Sequence, residues 1–503
     1  MMLLSTAAGV LNARQLGEDV KFLAVSTDTR KLQPGDLYVA LRGEYFDGAD
    51  FVAQAKAAGA VAALINKDSF EKLSSILRSK QRAEDATMFL GEDPCGLNPD
   101  FPVLLVQDTR IALGQLAAYW RNQFDIPLVA ITGSNGKTTV KEMTAAILRE
   151  AAGNTDAVLA TKGNLNNDIG MPLTLLQLNA QHRYAVIEMG MNHAGEIDYL
   201  TRLASPEVAL INNASGAHLE GMGSVEAVAL AKGEIFAGLK QGGSAVINSD
   251  DLYAPLWRTL AGAHSLLEFG LNGTADVCGT WRPLAGGLRL NAQTPAGDFV
   301  AEMQVPGEHN ARNALAATAV AIALNLPLAS IAAGLEKFAG VAGRLQRKTG
   351  RGGAQVIDDT YNANPASLHA AIAVLAQASG HRVLVLGDMG ELGENAAEFH
   401  AEIGRAAQQA GIEKLYALGE LSRIAVSEFG VNAKHFENLD ELCSSLEKEL
   451  GSDTTFLVKG SRFMKMERVV KYLVSGESEV GSGINATHLP LATSHLPGEK
   501  TCS

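Results

Sequence analysis

A chain of 503 residues is longer than one hydrophobic core usually serves, so several domains are expected. Hydrophobic residues make up 47% and charged residues 19%, which excludes a mostly disordered chain, and no apolar run reaches membrane-spanning length. A formal net charge of −13 argues against general affinity for nucleic acid or anionic membrane, and the scattered Cys95, Cys278, Cys443 and Cys502 fit a reducing cytoplasm better than a disulfide framework.

The first residues, Met1-Met2-Leu3-Leu4-Ser5, lack a basic segment followed by a sustained apolar stretch, so no signal peptide is expected. Residues 1–124 read as a small α/β domain with strands at 21–26, 37–41, 61–65 and 103–106. Within it lie Ser26-Thr27-Asp28-Thr29-Arg30, Pro34-Gly35-Asp36 and Arg42-Gly43-Glu44-Tyr45-Phe46-Asp47-Gly48. Hydroxyls, an arginine and glycine turns suit a sugar-nucleotide pocket; they also serve as ordinary turn and cap chemistry, and from these residues alone the second reading leads. The polar stretch 79–102, broken by Pro94 and Pro102, reads as a surface excursion.

Residues 125–341 alternate strand and helix, which indicates a mostly parallel sheet covered on both faces. The apolar run Leu128-Val129-Ala130-Ile131 leads into Thr132-Gly133-Ser134-Asn135-Gly136-Lys137-Thr138-Thr139, and a helix with Val140, Met143 and Ile147 on its apolar side follows. A glycine-bearing strand-to-helix turn holds phosphates: backbone N–H groups point inward, the helix presents its positive end, Lys137 reaches the outer phosphates and Thr138 can ligate Mg²⁺. The common G-x-x-x-x-G-K-[ST] loop would place its first glycine at Ile131, so the turn here is tighter. ATP binding is the working premise.

Two more strands carry polar residues at their C-terminal ends: 184–187 leads into Glu188, and 208–211 into Asn212-Asn213 and the loop reaching His218. Open α/β sheets bind ligands beyond those ends. A helix starting near Ser224 and running through Phe236 carries Lys232. Residues 275–305 alternate like antiparallel hairpins with turns at Gly286-Gly287 and Pro295-Ala296-Gly297. Gly307-Glu308-His309-Asn310-Ala311-Arg312-Asn313 opens an alanine-rich helix to about Leu324, with Asn310 and Asn313 on one face, where an amide can pair with the edge of adenine.

Residues 342–475 show a third α/β pattern, Rossmann-like in its alternation, with strands at 354–357, 382–386, 414–417 and 455–458. Polar turns follow these strands: Asp358-Asp359-Thr360-Tyr361-Asn362-Ala363-Asn364-Pro365, Gly387-Asp388-Met389-Gly390-Glu391-Leu392-Gly393 and Lys459-Gly460-Ser461-Arg462. The tail 476–503, rich in Gly, Ser and Pro, is expected to be disordered. Together, the phosphate loop and strand-end Glu188 point to a Mg²⁺-organised phosphoryl transfer, with Thr138 and Glu188 sharing one ion. The residues alone leave His218 and Lys232 undecided between site and structure.

The set Gly133 to Thr139, Glu188, His218, Lys232, His309-Asn310-x-x-Asn313, Gly343-Arg344 and Asp359 resembles the signature of the Mur ligases, the ATP-dependent peptide ligases of peptidoglycan precursor synthesis. Matches run from Ser26 to about Arg462. The polar turns after residues 357, 386 and 458 look most like those of members that join D-alanyl-D-alanine to UDP-N-acetylmuramoyl-tripeptide. The resemblance implies ATP and Mg²⁺ as cofactors, a carbamylated Lys232 that holds a second Mg²⁺ with His218, adenine held by Asn310 and Asn313, ribose reached by Asp359, and Arg344 crossing to the γ-phosphate. It further implies that Lys137, Glu188, His218, Lys232 and Arg344 form the catalytic set, that Thr29, Glu44, Tyr45 and Phe46 hold the UDP part, and that Thr161 and Asn164 lie near its sugar. A cytoplasmic monomer is expected. Two rivals stand beside this reading. One is a family member adding the third amino acid to the dipeptide, which is expected to carry an Asp-Asn-Pro-Arg motif absent from this chain. The other is a non-catalytic nucleotide-binding protein, which has no need of Glu188, His218 and Lys232 together.

Overall fold

The computed structural model describes residues 1–43, 45–72, 101–216 and 219–477. The expectations for Glu44, for His218, for most of the excursion 79–102 and for the tail beyond residue 477 therefore fall outside the described residues. Among the described residues the chain divides into two compact units, one comprising Met1–Phe124 and Asp168–Leu178, the other Asp125–Asn167 and residues 179–477. The fold is α/β throughout, as expected. Among the described residues, no helix is long and apolar enough to cross a membrane.

The first unit holds β1 (Met2–Leu3), β2 (Arg14–Leu16), β3 (Lys21–Phe22), β4 (Val25–Ser26), β5 (Leu37–Val39), β6 (Ala62–Asn66) and β7 (Val103–Val106). Five of them form a sheet in the order β2-β7-β6-β5-β4, parallel except where β2 meets β7. The strand expected at 21–26 is split, and this corrects the sequence reading. Lys21 and Phe22 pair with β1, after which Leu23 N–H donates to Gly35 O (2.8 Å) and the chain turns before β4 joins β5. Tyr38, Val52, Ile65 and Phe101 pack into its core.

In the second unit, β8 (Leu128–Thr132) is followed by α1 (Lys137–Ala152), then by β9 (Val158–Ala160), β10 (Tyr184–Glu188), β11 (Val208–Ile211), α2 (Val225–Gly233), β12 (Ser244–Asn248), β13 (Ser265–Gly270), β14 (Val277–Leu284), β15 (Gly287–Thr294), β16 (Gly297–Met303) and α3 (Glu308–Ala323). The strands form one sheet in the order β16-β15-β14-β13-β12-β11-β8-β10-β9, parallel from β9 to β14 and antiparallel from β14 to β16. The expected hairpins are present. The phosphate-loop strand β8 lies inside the sheet between β11 and β10, all of its residues buried, so its C-terminal end opens among polar strand ends. α1 and α3 bury Val140, Met143 and Ile147 with Ala311, Ala314 and Leu315, where small alanines let the helices approach closely. The helix expected through Phe236 ends earlier, at Gly233, and continues as a 3₁₀ turn over Glu234–Gly238.

The same unit then builds β17 (Gln346–Thr349), β18 (Gln355–Asp359), α4 (Pro365–Ala376), β19 (His381–Gly387), α5 (Ala396–Gln409), β20 (Lys414–Leu418), β21 (Ala433–Phe436), β22 (Thr454–Lys459) and α6 (Glu467–Ser475). The sheet order is β17-β18-β22-β19-β20-β21, parallel except for β17 against β18. Leu368 and Ile372 of α4 and Ile403 and Ala407 of α5 bury against one face, whereas Val469, Val470 and Leu473 of α6 bury against the other. Neighbouring β19 and β22 thus lead to helices on opposite faces. That divergence opens a crevice beyond their C-terminal ends.

Candidate active site

The turn after β8 is held by the loop that follows β11 and by a side chain from the third sheet. Asn135 N–H donates to Asn213 Oδ1 (2.8 Å), and the Asn212 and Asn213 amides both donate to Asn135 O (2.9 and 3.0 Å). Ser134 Oγ donates to Ser215 O (3.2 Å) and accepts from Ser215 N–H (3.0 Å). From the third sheet, Asn364 Nδ2 donates to Asn135 Oδ1 (2.8 Å). Gly136 closes the turn with φ 78°, and a Cβ there would lie 2.6 Å from both Asn212 Nδ2 and Asn313 Oδ1, so no side chain fits. Lys137 opens α1 and folds back, Nζ donating to Gly133 O (2.6 Å).

Thr138 is the centre of the arrangement. Its hydroxyl donates to Glu188 Oε2 (2.7 Å) and accepts from Arg344 Nη2 (2.8 Å). Glu188 is buried; Asn166 Nδ2 donates to its other oxygen (2.8 Å), and its N–H donates to Thr161 Oγ1 (3.0 Å). Arg344 also lies over the Tyr361 ring, 4.1 Å from the centroid, while its Nε has no partner among the described residues. Burial lowers the pKa of Lys137, an effect opposed by Glu188, reinforced by Arg344 and opposed again by Glu391. Lys232, on α2, is fully buried, and this desolvation together with the like charge of Lys137 pushes its pKa well below the usual lysine range.

Asn310 and Asn313 are both buried at the start of α3, with Asn313 Oδ1 accepting from Asn212 Nδ2 (3.1 Å) and Asn310 Nδ2 donating to Pro306 O (2.8 Å). Between them and the helix start, His309 is driven down to about 4 by burial, against the pull of Asp359. Asp359 is held in place by the protein: Oδ2 pairs with buried Lys459 (2.6 Å) and Oδ1 accepts from Leu345 N–H (3.1 Å), next to Arg344, which leaves each oxygen a further lone pair.

The structure thus brings Ser134, Asn135, Gly136, Lys137, Thr138, Glu188, Asn313 and Arg344 into one network, with Lys232 coupled to it through Lys137. Gly133 and Thr139 flank them. Thr161 faces inward, its hydroxyl on Glu188 and its carbonyl accepting from Lys141 Nζ (2.5 Å); Asn164 is exposed. Thr29, Tyr45 and Phe46 belong to the first unit, where Tyr45 and Phe46 are exposed at 73% and 59%. Sequence reasoning gave no role to Asn166, Lys141 or Tyr361. Only the Asn in a loop facing a strand-end acid would have pointed to Asn166.

Loop amides, Lys137 and the unpartnered donor Arg344 Nε fit a polyphosphate, and the Thr138–Glu188 pair fits a Mg²⁺ ion. Three family descriptions match in succession: "Mur ligase family, catalytic domain" over residues 21–121, "Mur ligase middle domain" over 131–321 and "Mur ligase, glutamate ligase domain" over 343–462. The UDP-N-acetylmuramoyl-tripeptide--D-alanyl-D-alanine ligase of Escherichia coli (strain K12) is 43% identical over 474 residues, covering 93% of this chain and 98% of that protein. The ligase of the same name from Bacillus subtilis (strain 168) is 33% identical, covering 90% and 93%. A crystal structure of MurF from Acinetobacter baumannii aligns with TM-score 0.81 at 34% identity, covering 93% of this chain and 98% of that one. With the phosphate-loop network formed and these matches running from residue 21 to residue 462, the chain belongs to the Mur ligase family.

Proposed function

We propose that this chain uses ATP to activate the terminal carboxylate of UDP-N-acetylmuramoyl-tripeptide and joins it to D-alanyl-D-alanine, in peptidoglycan precursor synthesis in the cytoplasm. The observation that carries the reading is the convergence of Thr138, Glu188 and Arg344 beside the phosphate loop, in a chain whose similar relatives bear that ligase's name. A division into residues 1–124 for the UDP substrate, 125–341 for ATP and 342–475 for the incoming dipeptide belongs to the same reading.

A carboxylate is a poor acyl donor at neutral pH. One of its oxygens attacks the γ-phosphorus of ATP, the bond from that phosphorus to the bridging oxygen breaks, and ADP leaves. The dipeptide amine then attacks the acyl carbon, loses a proton, and phosphate departs with the C–O bonding pair. Lys137 and Arg344 neutralise charge on the transferred group, and the loop N–H groups at the start of α1 hold the remaining phosphates in place. Thr138 and Glu188 would hold Mg²⁺, whose chemistry is to shield the phosphate oxygens from the attacking carboxylate. Asn310 and Asn313 offer amides to adenine and Asp359 a carboxylate to ribose. Thr29, Glu44, Tyr45 and Phe46 would take the UDP part; Thr161 and Asn164 would approach its sugar.

Lys232 is assigned as a carbamate. Its burial supports this, because a desolvated lysine holds the free amine that CO₂ requires, and the product carboxylate would hold a second Mg²⁺ with His218.

The test is phosphate release from ATP with UDP-N-acetylmuramoyl-tripeptide, with and without D-alanyl-D-alanine. Release that requires both supports the proposal. Indifference to the dipeptide defeats it, and release driven instead by the UDP-dipeptide plus a third amino acid reassigns the chain within the family.

A further inference from the structure

Beyond the phosphate-loop network, the crevice between β19 and β22 is stitched together by hydrogen bonds. Ser461 N–H donates to Asp388 O (2.9 Å), Gly390 N–H donates to Ser461 Oγ (2.8 Å), and Ser461 Oγ donates to Ala363 O (3.3 Å). Asp388 accepts from Ser422 N–H (2.7 Å) and thereby holds the first turn of the helix Ser422–Phe429. The turn then reaches Glu391, a non-glycine residue at φ 62°, in the left-handed region. Such a conformation persists only where its surroundings impose it. Ser461 ties this turn to Ala363, whose neighbour Asn364 donates to Asn135 of the phosphate loop, so the exposed Glu391 sits on a turn anchored next to that loop.

One support of this turn comes from below. His400 on α5 has no exposure to solvent. Its Nδ1 lies 2.7 Å from Ala396 O, which can only accept, and its Nε2 lies 3.0 Å from Met389 N–H, which can only donate. The two partners together dictate the neutral tautomer with the proton on Nδ1. A second proton would face the Met389 N–H and break the bond. Burial pushes the imidazole pKa down, against the charge of Asp388, in keeping with that tautomer. Met389 is the residue between Asp388 and Gly390, so His400 holds the backbone N–H next to the one that Ser461 Oγ holds.

We propose that His400, as the neutral Nδ1–H tautomer, is a positioning residue that sets the Asp388–Glu391 turn so that Glu391 meets the ammonium end of the incoming dipeptide. The proposal rests on the ligase reading above. It makes Glu391 the partner of the amine, and His400 the buried acceptor without which the strained turn relaxes and that partner is lost. Removing the acceptor is felt by the dipeptide and not by ATP, whose loop is built by Asn212, Asn213 and Asn364.

The experiment is steady-state phosphate release by the full chain, measuring KM separately for ATP, UDP-N-acetylmuramoyl-tripeptide and D-alanyl-D-alanine in wild type, His400→Leu, His400→Gln and His400→Asn. Glutamine can carry its carbonyl to the place of Nε2, whereas the shorter asparagine cannot. The expected result is KM for D-alanyl-D-alanine raised about tenfold in His400→Leu and His400→Asn, near wild type in His400→Gln, with KM for ATP unchanged throughout. A parallel rise in all three KM values, or no rise in that for the dipeptide, overturns the proposal and leaves His400 a packing residue. Should His400→Leu fail to show a cooperative melting transition, the Gln and Asn variants decide between the same two outcomes. Wild type lacking dipeptide-dependent release would defeat the ligase reading itself; wild-type release with unmoved variants defeats this inference alone.

Discussion

Lys232 is an ammonium-bearing side chain placed where an ammonium is costly, buried on α2 beside the positive charge of Lys137. Read as a carbamate, it becomes an anion that a metal ion can satisfy. Lys232→Ala is expected to abolish dipeptide-dependent phosphate release, and short carboxylic acids in the assay are expected to restore part of it; absence of rescue would speak against the carbamate. His309 makes a different prediction. Its pKa in the fold is about 4, below the ordinary 6.5, so between these values the unfolded chain binds a proton that the folded chain refuses. Stability therefore rises with pH across that window, and at pH 5 the deficit from this group is about 2 kcal/mol. Denaturant midpoints at pH 7 and pH 5 should differ less in His309→Gln than in wild type. At this scale the acids and bases next to recognisable turns, Lys137, Thr138 and Glu188, were legible. Asn166 and Lys141 were not, because what makes them part of the site is the distance to Glu188 and to Thr161 O, and no spacing in the chain encodes it.

At the scale of elements, the turn from β8 into α1 depends on Gly136. An alanine there takes on the left-handed penalty of about 1–2 kcal/mol and a Cβ 2.6 Å from two amide atoms. Gly136→Ala is expected to weaken ADP binding by at least about tenfold by calorimetry, while far-ultraviolet circular dichroism stays that of the wild type. Asn364 caps α4 through a reciprocal pair with Ser367 and also holds Asn135. Asn364→Ala should cost about 1 kcal/mol of stability from the lost cap and also raise KM for ATP, and an effect on stability alone would show that the bond to Asn135 is idle. The hairpins over 275–305 were readable from Gly-Gly and Pro-Ala-Gly turns between alternating runs, and the Ser224 cap from its serine. The break between β3 and β4 was not: residues 21–26 carry no glycine or proline, and only pairing to two different partners, β1 and β5, divides them.

At the scale of the whole molecule, the second unit contains both large sheets, and side chains join them at the phosphate loop: Arg344 to Thr138 and Asn364 to Asn135. A nucleotide seated there would bind elements of both, so Mg²⁺-ADP is expected to raise the melting temperature of this chain by mass action. Arg344→Ala should leave the unliganded melting temperature within a few degrees and shrink the nucleotide-induced rise. An undiminished rise would mean that Arg344 does not touch the nucleotide. By itself, the sequence determined the α/β class, the phosphate loop and its strand-end acid, because periodicity, glycine turns and residue order are local and need no partner. The tertiary structure decided which side chains meet: that Thr138 stands between Glu188 and Arg344, that Asp359 is bound to Lys459, and that His400 supports the turn carrying Glu391. Those contacts join residues from 11 to 206 positions apart, and only the pairing register of the strands and the packing of helices on their two faces bring such residues within hydrogen-bonding distance.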